Sequence, residues 1–167
     1  LTGDQAGLWI LKTLIRPLSR RYSMSNDDSY IDLGSASLFI STTQQEGYAL
    51  ATNITPASAG PFYYKYAGGN ARDATGRLTN IGDFVAESAS TFTVTLETAG
   101  YHIHRVDFNG AGNADLSFTR SSDNKTATVT DSFKHPATNN DYCLKIKDES
   151  DTHGNTFFSC DPKIINK

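Results

Sequence analysis

The stretch DYCLKIKDESDTHGNTFFSCDP, residues 141–162, decides the predicted fold of this chain. Tyr142, Leu144 and Ile146 alternate with other residues at a period of two, which is typical of a strand buried on one face. An acidic loop that ends in glycine follows, and a second, aromatic run leads to Cys160. The stretch therefore predicts a β-hairpin near the C-terminal end.

The two cysteines of the chain, Cys143 and Cys160, fall one in each strand of this hairpin. Neighbouring antiparallel strands can bring two Cα atoms into the range that a disulfide needs. Closing a loop of this length stabilises a fold by about 3 kcal/mol in the chain-entropy treatment. We therefore expect a disulfide and export through an oxidising compartment to the cell surface or the extracellular space; two free thiols in a cytosolic protein are the alternative.

The hairpin resembles the C-terminal end of type IV pilins and their minor-pilin and pseudopilin relatives. The resemblance rests on Tyr-Cys-Leu at 142–144, followed by Gly-x-Thr-x-Phe-x-Cys at 154–160. In those proteins an N-terminal helix packs on a small antiparallel sheet, and such a bridge holds the last sheet element. The resemblance implies a structural subunit of an extracellular pilus-like filament, which assembles through its helix and exposes a β-rich head.

Residues 4–22 carry a helical pattern, because apolar residues recur at steps of three and four along one face. Pro17 predicts a kink, since proline lacks a backbone donor and presses against the preceding turn. We expect this helix to cover its own sheet or to contact a neighbouring subunit. The predicted assembly residues are Leu8, Trp9, Leu11, Ile15 and Leu18.

The N-terminal segment differs from that of type IV pilins, which begin with a long, nearly uncharged helix carrying glutamate at its fifth position. This chain has Gln5, and its N-terminal segment carries charged residues by residue 12. The expected partners are therefore further copies of the chain, a separate hydrophobic pilin helix subunit, or both.

The rest of the chain consists of short strand candidates separated by turn residues. Residues 91–97 are the clearest, because threonines alternate there with Phe92, Val94 and Leu96. We predict an α+β fold that is mostly β, with one N-terminal amphipathic helix packed on antiparallel sheets and the disulfide-bounded hairpin at the end. The predicted domains are a kinked helix over 1–24 and a β-rich globular domain over 25–167, with a possible Ig-like subregion over 84–132.

Composition limits the function classes. The formal net charge of −3 provides no overall field that would attract nucleic acid or an anionic membrane. The sequence contains no apolar run long enough to span a bilayer. Because residue 1 is leucine, we expect a processed or cut product.

The candidate metal ligands are weak. Asp107, Asn109 and Asp115 place oxygen atoms around glycines, as calcium prefers, but the same residues suit a plain hairpin turn. His102 and His104 share one face of a predicted strand, where solvent-facing histidines are more common than metal pairs. We expect no metal and no cofactor, and we expect no enzyme because the titratable groups do not form a convergent set.

Tyr63, Tyr64 and Tyr66 form an aromatic cluster beside a glycine-rich loop. Such a cluster can bind the face of a sugar ring, although tyrosines on a sheet more often pack against each other across strands. The alternative function to a filament subunit is therefore a secreted β-sandwich binding module that recognises a glycan or a receptor.

Overall fold

The computed structural model describes residues 29–152 and 154–167, in which eleven strands form a two-sheet sandwich. The strands are β1 (Ile31–Ser41), β2 (Ala49–Leu50), β3 (Thr52–Thr55), β4 (Tyr63–Gly68), β5 (Phe84–Ala86), β6 (Ser90–Leu96), β7 (Tyr101–Gly110), β8 (Leu116–Arg120), β9 (Thr126–Asp131), β10 (Asn139–Asp148) and β11 (Thr156–Asn166). Two single 3₁₀ turns lie at Ala57–Ala59 and Asn113–Asp115.

The first sheet has six strands in the order β2-β4-β1-β6-β9-β8, and the second has the order β3-β11-β10-β7 with β5 also paired to β11. The pairs β1–β6 and β5–β11 are parallel, whereas the other pairs are antiparallel. The prediction of purely antiparallel sheets is therefore wrong at these two pairs. In each of these two pairs the strands are far apart in sequence. The long connection between them allows the second strand to run in the same direction as the first.

The core lies between the two sheets and is built by the inward side of the period-two pattern. The Phe92 ring of the first sheet lies 5.4 Å from the Tyr142 ring of the second, measured between centroids. The Phe62 and Phe157 rings stack at 4.2 Å. Burying aromatic side chains of this size dominates the stabilisation of such a sandwich.

The predicted α+β class is wrong for the described residues. Strands account for 56% of them and helical turns for 4%, and no helix reaches seven residues. The physical reason is that the inner faces of the sheets cover each other, so that neither needs a helix to bury it. The outer face of the first sheet is polar; its outward residues include Ser35, Ser37, Thr91, Thr93, Thr95, Ser117, Thr119, Thr126, Thr128 and Thr130.

The kinked helix predicted over 1–24, with its assembly residues, lies outside the described residues. The range 84–132, considered above as an Ig-like subregion, supplies strands to both sheets, and each sheet also contains strands from elsewhere in the chain. Within 29–152 and 154–167, no helix combines the length and the apolar character that crossing a membrane requires.

The predicted C-terminal hairpin and its disulfide are confirmed. Strands β10 and β11 pair antiparallel, with Cys143 directly opposite Cys160. The two Cα atoms lie 4.2 Å apart and the sulfur atoms are bonded. The bridge is compatible with folding in an oxidising compartment.

Candidate functional site

The outer face of the second sheet carries its charged residues in rows that cross β7, β10 and β11. Directly opposed Cα partners define each row. In order along the strands the rows are His102–Lys147–Thr156, Arg105–Lys145–Phe158, Asp107–Cys143–Cys160 and Asn109–Asp141–Lys163. We call Arg105, Lys145 and Phe158 the basic row.

The basic row places two cations side by side above one aromatic ring. Arg105 Cζ lies 5.7 Å and Lys145 Nζ 5.5 Å from the centroid of the Phe158 ring. Like charges directly opposite each other on neighbouring strands destabilise a sheet, and the cation–π contacts with Phe158 act against this repulsion. Asp107 binds the Arg105 guanidinium at 2.8 and 3.0 Å. Lys145 has no carboxylate within 4.0 Å among the described residues.

An irregularity in the pairing of β7 with β10 exposes His104 beside Arg105 of the basic row. The register shifts between Lys145 and Ile146, opposite the segment from Ile103 to Arg105. Ile103 and Val106 are both buried, three positions apart, so His104 and Arg105 between them are both exposed. The bulge therefore interrupts the strict alternation that the sequence suggests.

A third cation reaches the same region from the other sheet. The guanidinium of Arg120, on β8, donates a hydrogen bond of 2.9 Å to the Ile103 carbonyl. Desolvation lowers the pKa of His104, and the nearby positive charges of Lys145, Arg120 and Arg105 lower it further. His104 thus lies in a positive local potential, although the whole chain carries a net negative charge.

Carboxylates limit this positive region at both ends of the strands. At one end, Glu149 lies 3.2 Å from His102 Nδ1 and 3.4 Å from Lys125 Nζ. At the other end, Asp107 and Asp141 occupy the third and fourth rows. Among the described residues, Lys145 of the basic row and Lys147 of the neighbouring row have no carboxylate within 4.0 Å.

The structure does not bring the three weak calcium candidates together. Asp107 is bound to Arg105, while the buried Asp115 carboxylate accepts hydrogen bonds from His135 N and Nδ1 at 2.7 and 2.9 Å. Burial raises the pKa of Asp115, but the bonds from His135 outweigh it and leave the pKa below its usual value. Among the residues that the structure describes, no group of three His, Cys, Asp or Glu side chains could hold a metal ion.

Two of the three clustered tyrosines belong to the core, whereas Tyr63 is half-buried. Tyr64 and Tyr66 are buried, and burial raises the pKa of both phenols. The Tyr64 hydroxyl donates to Asp161 at 2.6 Å and to the Cys160 carbonyl, and the Tyr66 hydroxyl lies 2.9 Å from Ser159 Oγ. The interpretation as cross-strand packing is therefore correct for these two side chains.

The sequence contained part of the signal for the basic row. Once Cys143 is placed opposite Cys160, antiparallel counting puts Lys145 opposite Phe158. Arg105 could not be assigned in this way, because its position depends on a pairing of distant strands and on the bulge.

No protein-family model matches this chain, and no curated protein is significantly similar to it. The resemblance to type IV pilins therefore stays a prediction based on the hairpin motif. Filament assembly also stays a prediction, since Leu8, Trp9, Leu11, Ile15 and Leu18 lie outside the described residues.

Proposed function

We propose that this chain is an exported β-sandwich binding module that holds an anionic ligand, an acidic polysaccharide, at the basic row. The supporting observation is that Lys145 lies directly opposite Arg105, a like-charge arrangement that opposes sheet stability, and has no carboxylate within 4.0 Å among the described residues. Local arrangements that oppose stability are expected at functional sites. A bound anion would remove the repulsion and provide Lys145 with the counter-charge that the described residues do not supply.

The layout of the cations favours an extended ligand over a small one. Small molecules are usually bound in concave pockets with converging polar groups. Here the cations lie on an open sheet face, spaced by about 4.8 Å across strands and about 6.8 Å along them. Such an array suits a polymer with repeated negative groups.

The aromatic ring favours a polysaccharide over single-stranded nucleic acid. Proteins bind single strands by stacking bases on free aromatic faces. Arg105 and Lys145 both lie against the Phe158 ring, which leaves it poorly placed for stacking. The disulfide adds support, because acidic polysaccharides are found outside the cell, where disulfides persist.

The test compares Lys145→Glu with Lys65→Glu. Lys65 is an exposed residue of β4 in the other sheet, so both variants change the net charge equally. The probes are immobilised heparin and polygalacturonate, with neutral dextran and duplex DNA as comparisons. We expect an acidic polysaccharide to bind the wild type and Lys65→Glu, and to bind Lys145→Glu about tenfold more weakly.

Two results would contradict the proposal: equal loss of binding in both variants, or no retention on any anionic matrix. Retention on DNA alone would refute the polysaccharide class while leaving an anion site in place. Lys145→Glu is expected to fold, because it places a carboxylate opposite Arg105 in exchange for a second cation, and a urea titration checks this. Its free energy of unfolding is expected to equal or exceed the wild-type value by up to about 1 kcal/mol, measured in urea.

A further inference from the structure

The outer edge of β4 contains one residue whose backbone groups lack a partner. In a strand, the N–H and C=O of every second residue point to the same edge. On this edge the Phe62 carbonyl accepts a hydrogen bond of 2.8 Å from the Ala51 amide, and Tyr64 pairs with Ala49 of β2. Tyr66 is the next residue in this series, and no described residue pairs with it from this side. The ladder that β2 and β4 form therefore lacks its next rung.

The gap is bordered by a turn on one side and by a bonded loop on the other. The register of β2 with β4 would place Gly47 opposite Tyr66, but Gly47 lies in a turn and forms no backbone bond to β4. Beyond the gap, the Gly68 amide donates to Asn80 Oδ1 at 2.6 Å, and the Gly68 carbonyl accepts from the Gly82 amide at 3.0 Å. The gap is therefore one residue long, with bonded positions on both sides.

A cavity of about 380 Å³ lies at the gap. Its lining includes Tyr66 together with Gly47 and Asn80, the residues that border the gap at its two ends. Tyr66 is only 6% exposed, and buried backbone N–H and C=O groups are nearly always paired. A ligand that completes the ladder needs one acceptor and one donor at the spacing of a peptide residue, which an extended peptide provides.

Asp161 determines which side chain such a peptide should carry. Residues opposite each other on neighbouring strands point to the same face, so the peptide residue opposite Tyr66 would follow the Tyr64 and Tyr66 rings. The Tyr64 ring extends from β4 to β11, where its hydroxyl donates to Asp161 Oδ2 at 2.6 Å. Asp161 lines the cavity, and no Lys, Arg or His nitrogen of the described residues lies within 4.0 Å of its carboxylate. Lys65, which also lines the cavity, alternates with the two tyrosines and belongs to the other face of β4.

We propose that this gap binds an extended peptide, which pairs with Tyr66 and places a lysine or arginine against Asp161. The long stem of such a side chain can pack along the Tyr64 ring while its charged group reaches the carboxylate. Because only one rung is added, we expect a Kd in the millimolar range. The cavity lining contains no residue of the basic row, so this proposal and the proposed function can each fail alone.

The experiment titrates the blocked peptide acetyl-Thr-Val-Lys-Val-Thr-amide into isotope-labelled protein and follows the Tyr66 amide by NMR. We expect this resonance to shift as the amide gains a hydrogen bond. A peptide with N-methylated lysine keeps the charge but loses the donor for the Tyr66 carbonyl, and should bind about tenfold more weakly. A peptide with glutamine in place of lysine keeps the donor but loses the charge, and should bind about threefold to fivefold more weakly.

Two protein variants locate the charged contact. Asp161→Asn should lower the affinity for the lysine peptide to that for the glutamine peptide. The matched control Glu87→Gln, which removes an exposed carboxylate that lines a different cavity, should leave the affinity unchanged. Equal losses in both variants, or none in Asp161→Asn, would refute the contact with Asp161.

The peptides test the proposal on the wild-type protein, whether or not Asp161→Asn folds. Equal affinity for the N-methylated and unmodified peptides would show that the peptide does not pair with β4. Equal affinity for the lysine and glutamine peptides would refute the preference for a cationic side chain. A Tyr66 resonance that no peptide shifts would show that water alone occupies the gap, and this result would overturn the site.

Discussion

Reduction of the Cys143–Cys160 bridge provides a quantitative test of how the C-terminal hairpin stabilises the sandwich. The two residues are 17 positions apart in sequence. Releasing a loop of that length increases the entropy of the unfolded chain enough to lower the free energy of unfolding by about 3 kcal/mol. For a domain of this size, that corresponds to a decrease in Tm of roughly 10 °C.

The fold itself should survive reduction. Strand β10 pairs with β7 as well as with β11, so the sheet holds it on both sides. Tyr142, Leu144 and Ile146 remain fully buried against the opposite sheet and keep their apolar contacts. The reduced protein should therefore give the same circular dichroism spectrum as the oxidised protein at low temperature.

The assay is urea unfolding followed by circular dichroism, with and without a phosphine reductant. We expect a lower midpoint on reduction and a slightly larger m value, because the reduced unfolded chain is less compact. The matched control is the double variant Cys143→Ala/Cys160→Ala, which should resemble the reduced wild type and should not respond to reductant. An unchanged wild-type midpoint, or complete loss of structure on reduction, would refute this account of the bridge.

Three further predictions concern single interactions. Tyr142→Phe removes a buried hydroxyl that donates to the Gly82 carbonyl at 2.6 Å, so the free energy of unfolding should fall by about 1–3 kcal/mol in urea; no change would mean that the bond contributes nothing. Because the pKa of His104 is lowered in the folded state, its contribution to stability should be lost as pH falls from the unfolded-state pKa through the folded one. NMR titration should place the His104 pKa below the ordinary value, and a bound acidic polysaccharide should raise it; an unshifted pKa in both states would contradict the positive surroundings. If the predicted N-terminal helix mediates assembly, Leu11→Asp with Ile15→Asp should abolish filaments in electron microscopy without altering circular dichroism, and wild-type protein that forms no filaments would refute assembly.

The parts of the fold that the sequence predicted are those with local signals. The β10–β11 hairpin was predictable because its alternation, its loop and its cysteines lie within one short stretch. The fold class was not, because whether a sheet is covered by a helix or by a second sheet depends on contacts between distant strands. The parallel pairing of β1 with β6 is such a contact.

For the candidate sites too, closeness in sequence did not predict which side chains the fold brings together. Asp107, Asn109 and Asp115 are close in sequence. Asp107 nevertheless pairs with Arg105, and Asp115 pairs with His135. Closeness in sequence therefore does not bring the three side chains together as one set of ligands.

The contrast between the two outer faces argues that the basic row is not merely a solvated surface. Thr91, Thr93 and Thr95 on β6, opposite threonines on β9, show that this chain keeps part of a sheet face in water with uncharged side chains. Solubility therefore does not require Arg105 and Lys145 to lie side by side, and sheet stability opposes that arrangement. The net charge of −3 averages over both faces and does not reveal the local positive region. The proposed role in binding an anionic ligand would account for the position of these cations.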